Sequence, residues 1–225
     1  MRPDLSDTVV IFDLDGTLVD TAGDLAAAMN HALIAAGRPA IDGGRVRPLV
    51  GHGARAMLVR GFDETGGRPP DEEMDRHLRV FLDHYMAHIA DHSRPFPGVV
   101  EAIGALRAAG AKTAICTNKR EAPARLLIET LGLSSLFDAV VGMDSAAAAK
   151  PDPAPVLRCL ALTGARRGAF VGDSDTDIRA AAAAGLPCFI ATFGYGPLTL
   201  AGEAAAFDRY EVLTALICGA LAGAC

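Results

Sequence analysis

Apolar positions along this chain fall into two rhythms. Short, largely apolar runs occur at Val9–Phe12, Lys112–Cys116, Ala139–Val141, Ala169–Val171 and Cys188–Ala191. Rich in β-branched residues and lacking polar alternation, they predict strands buried on both faces. Between the later runs, apolar residues recur at helical spacing over Val99–Ala109, Ala122–Leu131, Ala154–Leu162 and Asp177–Ala184. Gly110, Gly132, Gly164 and Gly185 stand where those helices would end. Strand–helix alternation predicts an α/β fold, a parallel sheet with helices on both faces. Its site should lie beyond the C-terminal ends of the strands.

From Asp20 to Ser93 only the helical rhythm remains, over Asp24–Ala36, Ala54–Phe62 and Asp71–Ile89, joined by Gly- and Pro-rich turns. This predicts a small all-α unit, residues 20–92, inserted after the first strand and hanging over the strand ends as a lid. Residues 1–19 and 93–225 then form the α/β core. The alanine runs Ala146–Ala149 and Ala180–Ala184 suit helices. The apolar stretch Val212–Ala224 is shorter than the ~20 residues a membrane span needs and reads as a final core helix.

Composition narrows the picture. The 225 residues have room for one substantial core and a small second unit. A formal charge of −6 argues against nucleic-acid binding, which needs a basic surface. An anionic substrate would need local help from lysine, arginine or a metal ion. Five cysteines, an odd number without a CxxC pair, read as reduced thiols in a cytoplasmic protein, not as a disulfide frame or a zinc site. No secretory leader pattern is expected at the N-terminus, and no membrane segment.

The chemistry begins at "FDLDGT". Asp13 and Asp15 follow the first strand at i and i+2, so their side chains can face one site while Leu14 points elsewhere. Gly16 permits a sharp turn, and Thr17 adds a hydroxyl and an N–H. Carboxylates suit a cation and backbone donors suit an anion; a phosphate with Mg²⁺ satisfies both.

A second acidic cluster, "GDSDTD", ends a later strand run. Capping of the next helix accounts for Asp175. For Asp173, capping and metal ligation are both open on its own; beside Asp13 and Asp15 at a neighbouring strand end, ligation of Mg²⁺ by hard oxygens is the stronger reading. Thr117 and Asn118 follow the second core strand, and Lys150 precedes the stiff sequence "PDP". A hydroxyl and an ammonium there could neutralise phosphoryl oxygens.

With "DLDGT", "CTN", "KPDP" and "GDSDTD" in this order, the chain resembles the haloacid dehalogenase superfamily of phosphohydrolases, over Asp7 to about Thr192. The resemblance implies a Rossmann-like core with a helical cap. It is strongest for the phosphoglycolate phosphatase group, through "VGHGARAML" with Gly51 and Gly53, "PFPGV" and "TNK". It implies that Asp13 is the nucleophile and becomes an aspartyl phosphate. Asp15 would be the acid and base, and Thr117 and Lys150 would hold the phosphoryl group. Mg²⁺ would be held by Asp13, Asp173 and the main-chain carbonyl of Asp15. Asp177 would orient Lys150 or a metal-bound water. Gly16, Thr17 and Asn118 would contact substrate. An acidic residue at Asp15 speaks against a dehalogenase. Neighbouring activities are a sugar-phosphate phosphatase or phosphomutase; a phospho-acceptor signalling module is the alternative of another class. The expected partner is a small phosphate ester, and the expected assembly a monomer or homodimer.

Two features of the insertion stay open. Arg45, Arg47, Arg55 and Arg60, with His52, could clamp an anion or form a solvated helix face; His52 and Arg55 are favoured as substrate ligands because they adjoin the Gly51–Gly53 turn. His77, His84, His88 and His92 lie along one predicted helix. A solvated face is the favoured reading there, a transition-metal site the other.

Overall fold

The computed structural model describes residues 4–51, 53–196 and 198–222. Its centre is β1 (Thr8–Phe12), buried at every position. Alternation along the strand gives its side chains to two apolar clusters: Val10 and Phe12 to one face, Val9 and Ile11 to the other. A strand with two buried faces needs helices on both, and the order of elements supplies them.

After β1 come the short β2 (Val19–Asp20) and the helices α1 (Ala22–Ala35), α2 (Gly43–Val46), α3 (Ala54–Glu64) and α4 (Asp71–Ala87). The chain returns through β3 (Arg94–Pro95) to α5 (Val99–Ala108), β4 (Lys112–Cys116), α6 (Glu121–Thr130), β5 (Ala139–Val141), α7 (Ala154–Thr163) and β6 (Arg167–Gly172). It finishes with α8 (Asp175–Ala183), β7 (Cys188–Ala191), β8 (Ala205–Phe207) and α9 (Leu213–Ala222). The main sheet is all parallel in the order β5-β4-β1-β6-β7-β8. β1 pairs with β4 on one side and β6 on the other, so the chain order diverges at its two edges. The register sets Phe12 beside Ile115 and Val171, which brings the C-terminal ends of all three strands level. An open parallel sheet binds its ligand at such a switch point.

The helical insertion leaves and rejoins the core through a two-stranded ribbon, β2 antiparallel to β3, with Val19 opposite Pro95 and Asp20 opposite Arg94. Inside it, α1 packs on α3 and α4. Met29, Leu33, Met57, Leu58, Phe62, Phe81 and Tyr85 are buried. Gly61 of α3 lets α1 approach closely; a Cβ there would meet Met29 Sδ at 3.2 Å. Buried Asp24 fastens α1 to the return segment, accepting hydrogen bonds from His92 N (2.9 Å), Ser93 N (2.8 Å) and Ser93 Oγ (2.5 Å).

The structure adds elements that the hydrophobic pattern did not predict. β8 is a three-residue edge strand with two exposed alanines, too short to register as an apolar run. Ala146–Ala149, expected to suit a helix, lies in a loop. Alanine's helical preference is worth only tenths of a kcal/mol per residue. Here Pro151 and Pro153 break the segment, and tertiary bonds hold it: Asp144 Oδ1 accepts from Glu121 N (2.8 Å), and Ser145 Oγ donates to Glu121.

Candidate active site

Each candidate residue is placed by an element end. Asp13 continues the ladder, its N–H donating to Val171 O at 2.8 Å. Gly16, at φ +85°, turns the chain under the acidic cluster; a Cβ there would stand 2.5 Å from Asp173 Oδ2. Thr17 Oγ1 donates to Asp173 Oδ1 at 3.1 Å, and Tyr195 N donates to Asp173 Oδ2 at 2.7 Å. The Thr17 carbonyl accepts from buried Tyr210 Oη at 2.8 Å. Gly16 and Thr17 therefore shape and hold the acidic cluster from below.

Asp177, third residue of α8, accepts from Ser174 N (3.1 Å) and Ser174 Oγ (2.7 Å) through Oδ2, a capping-box arrangement. Its Oδ1 accepts from Lys150 Nζ at 2.7 Å. Lys150 is held at both ends: Asn118 Oδ1 accepts from its N–H (3.0 Å) and Asn118 Nδ2 donates to its carbonyl (3.1 Å). Asn118 thus spends its amide on the Lys150 main chain. Thr117 is buried, its hydroxyl accepting from Lys119 N at 3.1 Å.

The electrostatics follow from burial. Lys150 Nζ lies 2.9 Å from Asp13 Oδ1, and the two form a buried ion pair. Burial opposes the Lys150 charge, but Asp13 and Asp177 outweigh it and keep the ammonium well above its ordinary range. Burial pushes Asp13 up to about 8 against the pull of Lys150, with Asp177 and Asp173 adding to the rise. Asp173 is raised to about 6, by burial first and Asp177 second, in spite of the Tyr195 N–H.

Asp15 lines the same cavity as Asp13 but has its own partners. Its Oδ1 accepts from Thr21 Oγ1 at 2.7 Å, and Lys119 Nζ lies 2.9 Å from both of its oxygens. Lys119 and Tyr85, which packs its ring 4.8 Å from that ammonium, went unnoticed in the sequence reading except as a letter of "TNK". The available signal was the i, i+2 spacing of Thr117 and Lys119 after a strand.

A cavity of about 410 Å³ opens between the strand ends and the helical insertion. Asp13, Asp15, Thr117, Asn118 and Lys119 line its core side; Gly51, Gly53, Arg55, Phe81 and Tyr85 line the other. Lys150, Asp173 and Asp177 stand outside that lining and buried. His52 lies outside the described residues. Three of the four arginines are paired: Arg45 with Glu64, Arg47 with Asp20 and Arg55 with Asp71 and Asp75.

The histidines split. His84 stacks on His31 of α1 (4.3 Å between centroids) and touches His88 (4.5 Å). His77 packs on Phe62 instead, and His92 lies beyond α4 against Gly23. Burial, with His31 and His88 adding repulsion, holds His84 below the usual imidazole range.

The profile of the "Haloacid dehalogenase-like hydrolase" family matches residues 10–191, which includes all four strand-end motifs. The chain belongs to this family. Among its relatives, a phosphoglycolate phosphatase of Mesorhizobium japonicum is 47% identical over 193 residues, 85% of each chain. One of Caulobacter vibrioides is 44% identical, over 85% of this chain and 82% of that one. In structure, a crystal form of a "predicted phosphoglycolate phosphatase" from Haemophilus somnus superposes with a TM-score of 0.86 at 30% identity, covering 93% of this chain and 97% of that one.

Whether this haloacid dehalogenase-like chain suits a divalent cation is decided by its own carboxylates. Oxygens of Asp13, Asp173 and Asp177 lie within 4.8 Å of one another, all three residues buried. Asp177 has its two oxygens engaged by Lys150 and by the head of α8. Asp13 and Asp173 are close, buried and both raised, and a pair of carboxylates in that state fits a hard cation. Among the described residues, no helix is long and apolar enough to cross a membrane.

Proposed function

We propose that this chain hydrolyses small phosphate monoesters with Mg²⁺ through an aspartyl phosphate on Asp13, and that 2-phosphoglycolate is its substrate. One observation carries the reading. Lys150 is clamped between Asp13 and Asp177 at 2.9 and 2.7 Å, so a buried carboxylate stands at the strand ends beside a fixed cation. The chain is a phosphoric monoester hydrolase, in keeping with the relatives named phosphoglycolate phosphatase. Residues 20–92 form the cap. The buried free thiols Cys116, Cys159 and Cys188 suit a reducing cytoplasm.

Asp13, Asp173 and the main-chain carbonyl of Asp15 would hold Mg²⁺, which when bound offsets the repulsion between a carboxylate and a phosphate dianion. Asp13 attacks phosphorus, and the bond from phosphorus to the ester oxygen breaks. Asp15 hands its proton to the departing oxygen and then takes one from the water that attacks the acyl phosphate, returning phosphate and free Asp13. Lys150 and Thr117 hold phosphoryl oxygens, and Asp177 and Asn118 hold Lys150. Burial under the insertion keeps other water away.

The test is release of inorganic phosphate from a panel of small esters with Mg²⁺. We expect 2-phosphoglycolate to give the highest kcat/KM, and Asp13→Asn to lower kcat by more than about 10³-fold with the fold retained. Phosphoryl transfer to a sugar phosphate without net release would overturn the hydrolase assignment. A preferred ester without an acid group would overturn the choice of substrate.

A further inference from the structure

Lys119 is a buried cation that the reaction above does not use. Its side chain is 8% exposed, against 44% for Arg55, whose guanidinium is already shared by Asp71 and Asp75. Two of its three N–H donors face the oxygens of Asp15. Over it lies the ring of Tyr85, brought by α4 from the insertion. Tyr85 is 2% exposed and lines the cavity, and its hydroxyl stands against the Lys119 ammonium with no acceptor for its own proton. A buried phenol O–H without an acceptor is uncommon and points to a ligand that supplies one. Burial pushes it up to about 12, so it stays a donor at neutral pH.

Position then says which part of the ligand is met. An ester oxygen hydrogen-bonded to Asp15 lies within about 6 Å of Lys119 Nζ, the length of two successive hydrogen bonds. Atoms of the leaving alcohol continue from that oxygen into the cavity. An acid group on its next carbon comes within reach of both Lys119 and Tyr85. An ammonium and a hydroxyl converging in a buried wall suit a carboxylate, and a leaving alcohol without a second polar group would leave the phenol proton unpaired. Phe81, also in the wall, offers nothing polar to a hydroxyl-rich sugar.

We propose that Lys119 Nζ and Tyr85 Oη together bind the carboxylate of the leaving alcohol, and so select phosphate esters of short hydroxy acids. The inference rests on the phosphatase reading and assigns its selectivity to Lys119, the last letter of "TNK", and to Tyr85 of the insertion. One donor comes from the core and one from the insertion, so the acid group also bridges the two.

The experiment compares 2-phosphoglycolate with ethyl phosphate, in which a methyl group replaces the acid, using the Mg²⁺-loaded full chain. The readout is the ratio of their kcat/KM values. We expect Tyr85→Phe, which keeps the ring, to lower that ratio about tenfold through KM, and Lys119→Met to lower it about a hundredfold. A ratio unchanged within twofold in Tyr85→Phe, whatever the overall rate, would overturn the receptor. The wild-type ratio separates that failure from the earlier one. A wild type that prefers the acid ester while Tyr85→Phe and Lys119→Met both keep the preference leaves the substrate standing and removes the receptor. A wild type without preference, or without hydrolysis of either ester, removes both.

Discussion

Lys150 shows how one side chain can set the state of a site. It is buried between two carboxylates and reaches the cluster only because Asn118 fixes its main chain from the next strand end. Removing one member of a buried ionic group costs far more than the net worth of the group, because the partners stay behind unpaired. Lys150→Met should therefore lower stability by about 3 kcal/mol in denaturant titrations at a pH above the raised Asp13, with chelator present. A loss below about 1 kcal/mol would mean that the carboxylates carry protons instead of charge. At this scale the strand-end motifs were legible, because each lies in a short local stretch that names its own chemistry. Lys119 was not. Its partner Asp15 is 104 positions away and Tyr85 comes from another helix, so only the folded chain brings them together.

Among the elements, α8 links folding to chemistry. Asp177 ties the head of the helix through Ser174 and, with its other oxygen, holds Lys150. Ser174→Ala removes one donor to this carboxylate. We expect a loss of about 1 kcal/mol in denaturant stability, with a fall in kcat larger than any change in KM. A kcat within twofold of wild type would show that Lys150 and the main-chain N–H groups of Asp173 and Ser174 suffice to hold Asp177. The central strands could be read from their unbroken apolar runs, and the helices from their spacing. β8 escaped because an edge strand of three residues with two exposed alanines has no apolar signature. The loop around Ala146–Ala149 misled because composition there favours helix, while Asp144, Ser145 and the following prolines impose another course.

At the level of the whole molecule, the acidic cluster makes stability depend on pH and metal together. Folding raises Asp13 to about 8 and Asp173 to about 6, so the folded chain binds protons more tightly than the unfolded one. Stability then falls as pH rises, from the ordinary carboxylate range up through those raised values. A chelated sample should melt lower at pH 8 than at pH 5.5. Added Mg²⁺ should raise the melting temperature more at pH 8, where more of the carboxylates it meets are ionised than at pH 5.5. An increment independent of pH would separate metal binding from Asp13 and Asp173. The parallel sheet was legible at this scale from alternation alone. The level ends of β1, β4 and β6 follow from register, which a sequence without partners does not display.

The ribbon of β2 and β3 has a consequence for how such molecules diversify. Val19 and Pro95 sit side by side, so the whole excursion from α1 to α4 enters and leaves through a doorway one strand spacing wide, about 5 Å. A tight turn could close that doorway without disturbing the sheet, and a different excursion could be spliced into it. Asp13, Lys150, Asp173 and Asp177 all lie outside the excursion and would stay in such a chimera, while Tyr85 would leave with the exchanged cassette.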